Sequence, residues 1–334
     1  LNNGKIKRAA KEGVAKVSLV AGDSRKGNIK RALGLIIDEL DISGKVLIKP
    51  NLTAVHQEYA NTHVEAVEAV IEFLNDNFSG LKIVVGESSG VAYLTGKSTE
   101  DSFKSFGYYG LKKYGNVELV NLDEWEEFEE IPVRMVKGDS KLRIVRHDFD
   151  YVISLAIPKT HDFAIATLGI KNMMGLVHRE DRILMHGFRS GGFLQTGNSI
   201  LSIFPDIIAR PLKEVGKLVV SYFSAYSKSV RVINRNLAGL AKAARPDLVV
   251  LDGMYGMEGE GPVAGDAIRL GVAVASTDPL KADGVGARLM GLEPGDIGYL
   301  HYLQKDGYGD YSLDGLVGER IKDHIKKFRM HPRY

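Results

Sequence analysis

Cysteine is absent from the 334 residues. With it go thiolate nucleophiles, cysteine-ligated zinc, iron–sulfur clusters and disulfides, which leaves His, Asp, Glu, Lys, Ser, Thr and Tyr to carry any chemistry. Charge of one sign is also missing: Lys plus Arg exceed Asp plus Glu by only 2, so no global field points to nucleic acid or a membrane surface as a partner. No apolar run approaches the roughly 18 residues of a membrane span. The first 25 residues lack a signal-peptide core, although the chain begins at Leu1 and a removed leader stays open. A cytoplasmic location is the expectation for a disulfide-free chain of this kind. What is present is ordinary for a globular protein, with 44% hydrophobic and 26% charged residues, and this excludes collagenous and disordered chains.

Short β-branched runs predict strands at 17–20, 45–49, 82–85, 117–120, 151–155, 247–252 and 271–275. Between them, Ala32, Leu33, Leu35, Ile36 and Leu40, and then Val67, Val70, Ile71 and Leu74, recur at helical spacing. Strands that are apolar along their length and alternate with helices predict an α/β fold, a mainly parallel sheet covered by helices on both faces. Residues 131–136 and 142–145, joined through Gly138-Asp139, read as an added antiparallel hairpin. The acidic stretch 123–130 reads as a solvated face with Trp125 and Phe128 as apolar anchors. One α/β domain over 1–334 is expected, with 179–245 as an inserted, mainly helical lobe or cap. Its part from Ile207 to Arg245 holds eight basic residues against the single acid Glu214.

Ligands of open parallel sheets bind beyond the carboxyl ends of the strands, and here those ends are polar. They read Lys49-Pro50-Asn51, Gly86-Glu87-Ser88-Ser89-Gly90, Pro158-Lys159-Thr160-His161, Asp252-Gly253 leading to Glu258-Gly259-Glu260, and Ser276-Thr277-Asp278-Pro279. Lys49 and Asn51, with the backbone donors and hydroxyls of Ser88 and Ser89, suit an anion. Lys159 and His161 are two apart, so in extended chain both face one pocket. Thr167 and Lys171 are four apart and would share a helix face, followed by Asn172, Gly175 and His178. His186 follows in a glycine-rich stretch that reads as a mobile loop. Asp252, Glu258 and Glu260 suit a hard divalent cation such as Mg²⁺, or the orienting of a base. Asp278-Pro279 reads as a helix cap. The 259–264 segment matches a relaxed dinucleotide fingerprint only in form, because Pro262 and the flanking acids oppose a pyrophosphate. No zinc spacing and no P-loop occurs.

At these same loops the chain resembles the family named domain of unknown function 362. The likeness rests on Lys49-Pro50-Asn51-Leu52, Thr62-His63, Gly86–Gly90, Pro158–His161 with Thr167, Lys171-Asn172 and Gly175, Asp252-Gly253, Glu258–Pro262 and Ser276–Pro279. It spans roughly residues 15–320. Many members of that family carry ferredoxin-like cysteine motifs; this sequence has none, so the resemblance implies no cluster here. A looser similarity is to the lactate racemase family, in which a strand-end lysine and histidine sit in a proton-transfer site.

The reading that follows is an enzyme acting on a small anionic substrate, a carboxylate or phosphate, by isomerase- or lyase-type acid–base chemistry. His161 and Lys171 transfer protons with Lys159 beside them, while Lys49, Asn51, Ser88, Ser89, Thr167, Asn172 and His178 bind substrate. Lys171 also has the option of a Schiff base with a carbonyl. The alternative is a non-catalytic binding protein whose basic segment engages nucleic acid, an anionic membrane or an acidic partner. Self-association into a homo-oligomer is compatible with either.

Overall fold

The computed structural model describes residues 14–90, 96–189 and 224–334, with side chains from 227 onward in the last of these. The strands are β1 (Val17–Ala21), β2 (Lys45–Lys49), β3 (Lys82–Glu87), β4 (Val117–Asn121), β5 (Phe128–Arg134), β6 (Asp139–Val145), β7 (Tyr151–Ala156), β8 (Lys159–His161), β9 (Ile165–Thr167), β10 (Leu248–Glu258), β11 (Asp266–Ser276) and β12 (Leu316–Gly318). The α-helices are α1 (Arg25–Gly34), α2 (Val64–Asn77), α3 (Thr99–Ser105), α4 (Gly169–Asn172), α5 (Arg182–Met185), α6 (Ser224–Ala243), α7 (Pro279–Leu289) and α8 (Gly298–Lys305).

The main sheet runs β12-β1-β11-β10-β7-β2-β3-β4. Every neighbouring pair in it is parallel except the two made by β11. Alternation along each strand buries both faces, as a doubly covered sheet requires. Val46, Ile48, Ile83, Val85, Ile153 and Val250 pack with α1 and α2 residues such as Ile29, Leu33, Val67 and Val70. Leu47, Val84, Val152, Val249 and Val274 join the other core, with Ile233, Leu237, Val285, Tyr299 and Leu303 from α6, α7 and α8.

The predicted hairpin forms from β5 and β6, starting at Phe128, so the last three residues of the acidic stretch are strand. Two expectations fail at β10 and β11. The segment after Asp252 is no loop: β10 continues to Glu258 and folds back as β11, with a bulge between Gly253 and Tyr255. Because β11 is thereby reversed, Ser276-Thr277-Asp278-Pro279 lies at the opposite edge of the sheet from the other four strand ends. There Asp278 caps α7 by accepting from Leu280 N and Lys281 N at 2.8 and 3.3 Å. The far half of the β10–β11 ribbon projects past the carboxyl edge. On it sits β8, paired at Met257↔Lys159, and β9 adds antiparallel to β8.

Of the expected helical lobe, 190–223 lies outside the described residues. The described α6 is amphipathic and packs on the main body through Ile233, Leu237 and Leu240. Two of its four cations have partners among the described residues: the Arg235 guanidinium stacks on Tyr302 and Lys242 pairs with Asp306.

Candidate functional site

The carboxyl ends of β2 and β3 are joined by a buried ion pair. Lys49 Nζ donates to Glu87 Oε1 at 2.7 Å, to Pro50 O at 2.9 Å and to Asn172 Oδ1 at 3.3 Å. Both side chains are at most 2% exposed. Glu87 also accepts from Ser88 N and Leu52 N, each at 2.8 Å, so its four lone-pair positions are well used. Burial lowers the Lys49 pKa and the Glu87 charge opposes that shift. Gly175 passes so close that a Cβ there would lie 2.4 Å from Lys49 Cε and 2.5 Å from Glu87 Oε1. The expected role of Lys49 as an anion ligand is therefore corrected: all three ammonium donors have protein partners.

Ser88 and Ser89 are corrected for the same reason. Their loop spends its backbone donors internally, Ser89 N on Thr99 Oγ1 and Gly90 N on Leu52 O. Ser88 Oγ donates to Asp123 and accepts from Arg182. Arg182, 6% exposed on α5, also donates to Ser88 O at 2.9 Å, Ser89 O at 3.1 Å and Val177 O at 3.2 Å. Sequence reasoning missed Arg182, Asp162 and Glu87 as site residues. For Glu87 a signal existed, an acid ending an otherwise apolar strand next to a lysine-ended one.

Asn172 and Asn51 act as struts. Asn172 Nδ2 donates to Lys49 O at 2.9 Å and Ser154 Oγ at 3.0 Å, while its Oδ1 accepts from Asn51 Nδ2 at 3.0 Å. The short helix α4 that carries Asn172 and Lys171 is anchored at its start by Asp283, whose carboxylate accepts from Gly169 N at 2.8 Å and Ile170 N at 3.0 Å. Burial pushes the Asp283 carboxyl up to about 7.

The second group lies on the ribbon side. Lys159 Nζ donates to Thr53 Oγ1 at 2.8 Å and Ala60 O at 2.6 Å, and burial with the nearby Lys171 charge holds its pKa well below 10.5. His161 Nδ1 accepts from Phe163 N at 3.0 Å and Ala164 N at 3.3 Å, which places the ring proton on Nε2. Burial, reinforced by Lys171, takes His161 down to about 3, so at neutral pH it is an uncharged donor rather than a proton reservoir. His186, which terminates α5, is lowered to about 4, chiefly by burial. Its Nδ1 and Thr167 Oγ1 are both buried without a hydrogen-bond partner. Asp162 stays below the ordinary carboxylate range: burial raises it, and His161, Arg333 and His186 more than offset that. Arg333 Nη1 is 3.8 Å from Asp162 Oδ2, and its guanidinium lies over the Phe163 ring.

Lys171 stands at the centre of this group. It is 8% exposed, and among the described residues its ammonium makes no hydrogen bond. Burial lowers its pKa to about 8, with Asp162 the one opposing charge. A buried ammonium without partners is costly, and the sign of its effect can be worked out. Between pH 8 and 10.5 the unfolded chain holds the Lys171 proton and the folded chain does not, so stability rises with pH across that window. Below about 8 the full penalty stays, on the order of 3 kcal/mol for this shift. Urea unfolding at pH 7 should accordingly find Lys171→Met at least as stable as the parent, with the parent closing the gap by pH 10; a less stable variant at pH 7 would contradict this.

Other predicted residues fall elsewhere. Thr167 ends β9 while Lys171 is in α4, so they share no helix face; it is the pairing Lys159↔Thr167 that brings Thr167 into the group. His178 stands edge-on to Phe128, and its pKa is lowered by burial and Arg143, outside this group. Asp252, Glu258 and Glu260 do not assemble: no metal-binding group of three His, Asp or Glu occurs among the described residues. Asp252 accepts from Arg25 Nε at 2.9 Å, and Glu258, six residues along an extended strand, accepts from Arg329 N at 2.9 Å. An open cleft lined by Lys97, Thr99, Asp123 and Arg179 lies on the β4 side and includes none of the acid–base candidates.

The model of a family described as domain of unknown function (DUF362) matches residues 46–288. A relative in Synechocystis sp. named thylakoid-associated protein is 25% identical over 298 residues, covering 85% of this chain and 77% of that protein. Among solved structures, the lactate racemase apoprotein from Thermoanaerobacterium thermosaccharolyticum aligns with a TM-score of 0.48 and 13% identity. That alignment takes in 84% of this chain and 57% of the other.

Proposed function

The chain belongs to the DUF362 family, and from that premise and the geometry above we propose that the Lys171 cluster is an acid–base site for a small carboxylate or phosphate, of the isomerase or lyase type. The observation that carries the reading is Lys171 itself, a buried amine with no hydrogen bond among the described residues and a pKa brought to about 8. A proton-transfer group works best with a pKa near the working pH. Lys171 and Arg333 both face the carboxylate Asp162, and the neutral histidines add no charge, so the cluster has cationic capacity to spare for an anion. In this assignment Lys171 takes and returns the proton, His161 donates from Nε2 to developing negative charge, and Lys159 supplies positive potential. Thr167 Oγ1 and His186 Nδ1 are left to meet the substrate.

Solvent exchange tests this even while the product is unidentified. Small 2-hydroxy, 2-amino and 2-oxo acids incubated with the protein in D₂O should lose a C–H signal for at least one acid. The rate should rise with pH through about 8, as Lys171 deprotonates, and fall by about 10²-fold or more in Lys171→Met. Identical exchange by parent and variant for every acid would defeat the assignment.

A further inference from the structure

Four lysines are buried among the described residues: Lys49, Lys159, Lys171 and Lys281. Three are tied down. Lys49 is held by Glu87, Pro50 O and Asn172, and Lys159 by Thr53 and Ala60 O. Lys281 is held by Asp310 at 3.3 Å, Ser312 at 3.0 Å and Asp314 O at 3.0 Å. Lys171 has no such partner among the described residues, and two polar atoms of the same group, Thr167 Oγ1 opposite Lys159 and His186 Nδ1, are buried and unsatisfied. Buried polar groups in folded proteins find partners in the great majority of cases, so two buried unsatisfied atoms in the same group as an amine without a hydrogen bond point to a ligand site.

We propose that the ligand is a small 2-oxo acid and that Lys171 binds it covalently as a Schiff base. This rests on the acid–base reading and adds the substrate class to it. An anion held only by charge would draw Lys171 into an ion pair; a carbonyl uses its lone pair instead. An amine becomes a usable nucleophile when desolvation lowers its pKa, and Lys171 is buried with its pKa brought to about 8 chiefly by that burial. The carboxylate of the acid has Arg333, beside Asp162, as its cationic counterpart. The neutral Lys171 amine attacks the carbonyl carbon, forming the C–N bond, and the proton leaving nitrogen passes to the carbonyl oxygen. The resulting hydroxyl takes one more proton from solvent and departs as water while C–N becomes the double bond of an iminium ion. That cation is an electron sink adjacent to the bond broken in an isomerase or lyase step.

Borohydride trapping on the full chain reads this directly. The protein is incubated in turn with pyruvate, 2-oxobutyrate and 2-oxoglutarate, each with sodium borohydride, and analysed by intact mass and peptide mapping. At least one acid should add its own mass less one oxygen atom, once per chain, on the peptide containing Lys171. Lys171→Arg keeps the positive charge and has no amine nucleophile, so it should show no adduct while melting as a folded protein. No adduct with any of the three acids, or labelling spread equally over surface lysines, overturns the covalent proposal. If Lys171-dependent exchange in D₂O persists in that case for 2-hydroxy or 2-amino acids, the Schiff base alone is wrong; if exchange is also absent, the site reading falls with it.

Discussion

Glu87→Ala is expected to cost about 3 to 5 kcal/mol of folding stability, because it strands the Lys49 ammonium in a site from which water is excluded. The loss exceeds that of an exposed pair, about 0 to 1 kcal/mol, for two reasons. Lys49 is 1% exposed, so no solvent takes the place of the carboxylate. Leu52 N and Ser88 N lose their acceptor in the same stroke. Urea unfolding measures the change. The double variant Lys49→Met with Glu87→Leu should recover much of the loss, since it removes both charges and leaves apolar volume. A Glu87→Ala protein within about 1 kcal/mol of the parent, the range of exposed pairs, would show that the pair is not closed to water.

Arg182→Met should be comparably severe, at about 3 kcal/mol or more, since each buried acceptor left unsatisfied costs about 1 to 3 kcal/mol. Three carbonyls, of Val177, Ser88 and Ser89, accept from this one guanidinium. Arg182→Lys should rescue little, because an ammonium is a point donor and cannot spread over acceptors arranged for a planar fork. Proteolysis in the native state would show opening around Ser88 and Ser89 before global unfolding. Full stability of either variant would mean that water substitutes for the guanidinium.

The sheet was legible because its strands are apolar on both faces, which is what Val46-Leu47-Ile48 and Ile83-Val84-Val85 announce. The polar strand ends include the edge at which Lys159 pairs with Thr167 and lies, with His161, within reach of the Lys171 charge. The reversal of β11 was not legible: a glycine-rich turn at 259–265 reads equally as a loop leaving a strand end and as the tip of a hairpin, and only pairing with β10 decides. The division of labour among polar residues was hidden as well. Lys49, Ser88 and Ser89 have the composition of an anion site, yet Glu87 and Arg182, 38 and 94 positions away in the chain from Lys49 and Ser88, take up their donors and acceptors. Partners that distant leave no local pattern.

The place of β1 has a consequence for how the molecule comes into being on the ribosome. Strands β2, β3, β4 and β7 find one another within residues 45–156. By contrast, β1 pairs among the described residues with β11 and β12, at residues 266–276 and 316–318, which are synthesised much later. During translation the first strand therefore waits unpaired for some 250 residues of synthesis, an exposed apolar edge of the sort that associates with other chains or recruits chaperones. Insertion of β1 between β11 and β12 then joins residues 17–21 to residues 266–318 in one late step, a long-range pairing of the kind that makes folding slow.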